Sequence, residues 1–114
     1  MAGNRMIAMG FQSVANGTVA VAIGRESNAT NTQTIAIGDK AKALQNNAIV
    51  MGQLANANDT QAISIDDRSN ASGNASVVGP STNSTGVSST ALGHGSQSMN
   101  NYATAVRLLQ KYGE

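Results

Sequence analysis

Side chains able to do chemistry are few in this chain, and they are scattered. His94, within Gly93-His94-Gly95, is the only histidine of 114 residues, and there is no cysteine. A metal centre needs several convergent ligands, and a catalytic imidazole needs an oriented neighbour. His94 has neither in sequence and reads as an exposed turn residue. Gly93-His94-Gly95 also lacks the third glycine and the following helix of a phosphate-binding loop. The acids are Glu26, Asp39, Asp59, Asp66, Asp67 and Glu114. Asp66 and Asp67, with Asp59 just before them, have the oxygens that calcium prefers. No acidic motif recurs, however, so a turn is the better reading. Hydrolysis of a surface glycan would need a carboxylate pair across a cleft, and no such pair is evident. The expectation is a non-enzymatic chain with no catalytic residue, no metal site and no cofactor.

Partners are bounded by charge and hydropathy. The formal net charge is +1 and only 11% of residues are charged, with no basic stripe of the kind a nucleic acid would require. No apolar run is long enough for a membrane-spanning helix, so membrane insertion is not expected. Arg5 is followed by no long apolar region, so the N-terminus does not read as a secretory signal. Asn-x-Ser/Thr sequons begin at Asn16, Asn28, Asn58, Asn70, Asn74 and Asn83. They recur because Asn, Ser and Thr are abundant and locked to a repeat.

That repeat organises everything else. Gly10, Gly24, Gly38 and Gly52 are fourteen residues apart, and each closes a short apolar run such as Val21-Ala22-Ile23 or Ile35-Ala36-Ile37. Asp66 takes the next place, Gly79 arrives one residue early, and Gly93 follows after fourteen more. Gly10, Gly24, Gly38, Gly52, Asp66, Gly79 and Gly93 are expected to be turn positions, since glycine and, less readily, Asp tolerate positive φ. Arg107, at the last such place, is expected to end regular stacking. A fourteen-residue copy holds two strands and two turns and cannot bury a core alone, so the copies must stack.

Residues two apart in a strand share a face. Ile7, Met9, Val21, Ile23, Ile35, Ile37, Ile49, Met51, Ile63 and Ile65 therefore form one ladder of large side chains, expected to be the core. Ala8, Ala22 and Ala36 form a small-residue face, expected to let another strand or chain approach closely. A second strand carries Ser27 and Ala29, Ala41 and Ala43, and their equivalents. The early Gly79, with Pro80 beside it, predicts a bulge or loop in that rung. Ser76, Thr90 and Thr104 replace the large ladder in the later rungs, where the interior is expected to narrow or become wetter. Asn31, Gln33, Gln45, Asn46, Asn47, Asn56 and Asn58 suggest a solvated face of amide ladders. The last residues admit a helix from Asn101 or a strand at Thr104 to Val106, and the repeat phase favours the strand.

The phrases Val21-Ala22-Ile23-Gly24 and Ile35-Ala36-Ile37-Gly38, followed by Ser27-Asn28-Ala29 and Ala41-Lys42-Ala43, resemble the head repeats of trimeric autotransporter adhesins of the Yersinia adhesin type. The resemblance implies an all-β, left-handed parallel β-roll and a homotrimer. It covers about residues 5 to 107. The domain expectation is a roll over residues 1–107 and a tail over 108–114, with Leu108, Leu109 and Tyr112 as a docking peg or trimer clasp. The functional expectation is a structural or adhesive fibre on a phage virion, partnered by other fibre, capsid or tail proteins. The alternative is an adhesin head on a bacterial outer surface. A surface glycan or protein is the expected receptor class, with no receptor-binding residue assigned.

Overall fold

The computed structural model describes residues 5–107. Within them the chain forms β1 (Ile7–Met9), β2 (Val14–Ala15), β3 (Val21–Ile23), β4 (Asn28–Ala29), β5 (Ile35–Ile37), β6 (Lys42–Ala43), β7 (Ile49–Met51) and β8 (Asn56–Ala57). It continues as β9 (Ile63–Ile65), β10 (Asn70–Ala71), β11 (Ser76–Val78), β12 (Asn83–Ser84), β13 (Thr90–Leu92), β14 (Gln97–Ser98) and β15 (Thr104–Val106). The odd strands make an eight-stranded sheet in chain order, and the even strands make a seven-stranded one. All pairing is parallel: Val21 lies on Ile35, Ala22 on Ala36 and Ile23 on Ile37. The fold is a parallel β-solenoid with one rung per repeat, and no helix occurs among the described residues. The C-terminal alternative resolves as the strand, β15 on β13.

Two β-turns close each rung. In the first, the Ser27 amide donates to the Gly24 carbonyl at 3.2 Å, and in the second the Ala48 amide donates to that of Gln45 at 3.1 Å. The glycine column has positive φ throughout, from 108° at Gly93 to 142° at Gly52, with Asp66 at 104°. Two further columns also lie in the left-handed region, and glycine occurs in them only at Gly95, φ 72°. One includes Gln12, Glu26, Lys40, Leu54, Arg68 and Ser81, the other Val19, Gln33, Asn47, Gln61, Asn74, Ser88 and Tyr102. Their amide groups point at the preceding rung: Lys40 donates to the Arg25 carbonyl at 2.8 Å and Asn47 to that of Thr32 at 2.9 Å. A ladder bond thus offsets a backbone cost that an isolated turn would meet with glycine.

The interior reverses one expectation. The buried core is Ala20, Ala22, Ala36, Ala48, Val50, Ala62, Ala75, Val77 and Ala91 from the first sheet, facing Ala29, Ala41, Ala43, Ala55, Ala57 and Ala71 from the second. The large ladder points outward: Ile7 is 50% exposed and Met9 58%, while Val21, Ile23, Ile35, Ile37, Ile49, Ile63 and Ile65 are half-buried and Met51 is exposed. Side-chain alternation identified the two faces, but residue size assigned the wrong one to the inside. The Cα envelope is only 14 Å through its thinnest dimension, so the gap between the sheets admits little more than a methyl group. Close packing then selects Ala, and Ile is excluded by volume.

Hydroxyls enter this interior at Ser27 and Thr34 and become frequent from Ser64 onward. Ser64 and Ser69 join Oγ to Oγ at 2.7 Å, Ser69 also donates to the Asp66 carbonyl at 2.9 Å, and Ser98 donates to that of Ala103 at 3.0 Å. Ser76, Thr90 and Thr104 are on the outer face, so they leave the interior unchanged.

The early Gly79 produces no bulge. The register of β11 on β9 is unbroken, Ser76 on Ile63, Val77 on Ser64 and Val78 on Ile65. The missing residue comes out of the preceding turn, where Gly73 and Asn74 take successive left-handed conformations, φ 67° and 59°. Pro80 is tolerated because its place in the rung supplies a carbonyl: Gly95 donates to it at 3.0 Å. The equivalent amide one rung earlier, that of Asp67, donates to its neighbour Asp66 Oδ1 and is not needed by the ladder.

Candidate binding surfaces

Because every inward position is small, all chemistry lies on four outer strips. The first sheet shows an apolar strip, with Val78 40%, Leu92 45% and Val106 57% exposed above the Ile and Met columns. A parallel strand must present alternate residues to opposite faces, so a buried Ala, Val or Ser at the centre of each strand from β3 to β9 in the first sheet places Val, Ile or Met outside on either side of it. The second sheet shows a polar strip. Asn28, Lys42, Asn56, Asn70, Asn83 and Gln97 follow one another rung by rung. Asn56 Nδ2 donates to Asn70 Oδ1 at 3.5 Å and Asn70 Nδ2 to Asn83 Oδ1 at 3.0 Å.

The two turn edges differ as well. The glycine edge carries ion pairs between rungs: Arg25 Nε lies 3.0 Å from Asp39 Oδ1, and Lys40 Nζ lies 3.9 Å from Glu26 Oε1. Arg68 pairs with Asp67 at 3.9 Å. These side chains are well exposed, so the pairs order the edge more than they stabilise it. The opposite edge carries amides. Asn47 Nδ2 donates to Gln33 Oε1 at 3.1 Å, and Asn46 Oδ1 accepts the Thr32 amide at 3.1 Å.

The candidate chemical residues are not brought together. His94 stands exposed at the glycine edge. Asp66 and Asp67 are on that edge, whereas Asp59 is on the other, where it accepts the amides of Thr60 at 2.9 Å and Gly73 at 3.1 Å. No group of three metal-ligating side chains occurs among the described residues. Leu108, Leu109 and Tyr112 lie outside the described residues.

The model of the YadA head domain repeat, which spans two copies, matches residues 7–27, 29–55, 43–65 and 84–106. The chain belongs to the YadA head-repeat family. No curated protein matches it. A YadA head repeat is a structural adhesin module, in keeping with strips that can bind and an interior that cannot react. The unmatched interval contains the rung that departs most from the pattern, with Asp66 in the glycine column, the shortened Gly73–Asn74 turn and Pro80.

Sequence reasoning missed the inward column of Ala20, Thr34, Ala48, Ala62, Ala75 and Ser89. It shares a face with Ala22, Ala36 and Val50 and is equally small. Four small columns in one rung can be accommodated only by facing one another, and that signal was present in the residues.

Proposed function

We propose that the chain is the adhesive head of a homotrimeric surface fibre. One observation carries the reading: the apolar strip of the eight-stranded sheet runs the length of the roll and has no partner among the described residues. Exposed apolar patches of this extent mark interaction surfaces, and three copies joined through one strip bury it on all of them. The Ala ladder, being inside, is not the contact. The polar strip and the two edges then face outward and carry adhesion to a surface glycan or protein.

Two carriers suit such a head, a bacterial outer surface and a phage virion. Membership of the YadA head-repeat family supports the bacterial surface. Attachment to capsid or tail proteins rests on no feature of the described residues.

Light scattering of the full chain at micromolar concentration should give three times the chain mass. Surfaces coated with it should retain host cells or matrix, and Ile37→Lys should abolish both trimer and retention. A stable monomer that still adheres would remove the trimer from the proposal, and a trimer that adheres to nothing would remove the adhesin.

A further inference from the structure

We infer that Lys42 and the depression beside it form a subsite for the carboxylate of an acidic sugar. The inference rests on the reading of the chain as an adhesive head and adds a ligand class to it. The depression lies where the glycine edge meets the polar strip, lined by Glu26, Lys40, Lys42, Leu54, Ala55 and Asn56.

Three observations converge there. First, Lys42 breaks a rule of its own column. Asn28 is below it and Asn56 above it, followed by Asn70 and Asn83. Stacked Asn side chains donate to one another from rung to rung, as Asn70 does to Asn83. Lys42 interrupts that ladder: each Asn donates to the Oδ1 of the next rung, so the Oδ1 of Asn56, which an Asn at position 42 would serve, is buried without a hydrogen-bond donor. Buried acceptors without donors cost stability, and departures of this kind concentrate where a protein functions.

Second, the ammonium of Lys42 has no acceptor among the described residues, whereas Arg25, Lys40 and Arg68 are all ion-paired. Lys42 is the only charged residue in the column that runs from Val14 to Gln97. It therefore presents a free positive charge against a neutral polar face.

Third, the depression supplies the other contacts a sugar needs. Leu54 is 41% exposed and offers an apolar patch to a ring face. Asn56 Nδ2 offers polar contact to hydroxyls, and the Glu26 and Lys40 pair walls one side. A carboxylate-bearing monosaccharide, sialic acid or a uronic acid, matches this set: carboxylate on Lys42, hydroxyls on Asn56, ring on Leu54. A neutral sugar leaves Lys42 unused.

The test compares sialyllactose, a glucuronate-containing disaccharide and lactose by saturation-transfer NMR and calorimetry on the full chain. At least one acidic sugar should bind about tenfold or more tightly than lactose, the factor expected of one charge-assisted contact. Lys42→Asn should erase that preference and raise the thermal midpoint, because it completes the amide ladder. The rise shows that loss of binding is not loss of folding. Arg68→Gln, on the same edge but outside the depression, should retain the preference. No acidic-sugar binding, equal binding of lactose, or full binding by Lys42→Asn each overturns the subsite. If coated surfaces still retain cells while both acidic sugars fail, the subsite alone falls. If retention fails too, the adhesive reading falls with it.

Discussion

A Cβ built on Gly38 stands 2.5 Å from the carbonyl oxygen of Gly52, its equivalent in the next rung. The same approach recurs between Gly24 and Gly38, at 2.6 Å, and between Gly10 and Gly24, at 2.7 Å. The column is glycine because the backbones touch there as well as because φ is positive. Gly38→Ala meets both obstacles and should destabilise the roll by about 3 kcal/mol. Chemical denaturation of wild type and variant measures this, and a loss under about 1 kcal/mol would show that the rungs can separate to accommodate a methyl group.

Asp66 is the natural counter-experiment. It sits in that column at φ 104°, where a non-glycine residue is strained. Its carboxylate recovers part of the cost by accepting the Asp67 amide at 2.8 Å. Asp66→Gly should stabilise the chain by about 1 kcal/mol, seen as a higher thermal midpoint. An unchanged or lower midpoint would mean that the Asp67 contact outweighs the strain.

Ile37 and Ala36 are adjacent and should respond in opposite ways. Ala36 is fully buried between the sheets, so Ala36→Leu overpacks the roll and should cost about 3 kcal/mol of folding stability. Ile37 is half-buried on the apolar strip. Ile37→Lys should leave the β-sheet dichroism of the fold intact and shift scattering mass toward the monomer. If Ile37→Lys unfolds the chain and Ala36→Leu does not, the inside and outside of the first sheet are misassigned.

That pair also shows what the residues alone reveal. The phase of Gly24, Gly38 and Gly52 is legible because turn geometry and close approach both demand glycine at one place per rung. The pairing of Val21 with Ile35 follows from the same phase. The inside was misread because alternation groups Ile35 with Ile37 and sets Ala36 apart, yet does not say which group faces the second sheet. Large side chains fill most cores, and that habit fails when two sheets lie so close. Ala41 and Ala43 on the second sheet, with Ala20 and Ala48 on the first, held the correction. The left-handed conformations of Leu54 and Val19 were illegible, because neither residue type favours them and only the rung-to-rung hydrogen bond sustains them. Lys42 was legible as a residue but not as a break in a ladder, since the Asn column matters only once the strands are stacked.

The shortened turn yields the last test. The single-residue deficit before Gly79 is absorbed at Gly73 and Asn74, and β11 keeps its register on β9. Length changes in that turn should therefore be nearly neutral. One residue inserted between Gly73 and Asn74 restores a fourteen-residue rung and should change stability by no more than about 1 kcal/mol, since loop length enters the folding free energy weakly. The same change of one residue inside a strand has a different meaning. Deleting Ala36 from β5 exchanges the faces of everything that follows until a turn corrects it, driving Ile37 against the buried columns of the second sheet. That deletion should abolish cooperative unfolding while the insertion leaves it sharp. Calorimetry on the two variants separates the outcomes. Equal tolerance of both would mean that the stack is held by its turns alone, and equal intolerance would mean that the Gly73–Asn74 turn is fixed in length by contacts beyond its own rung.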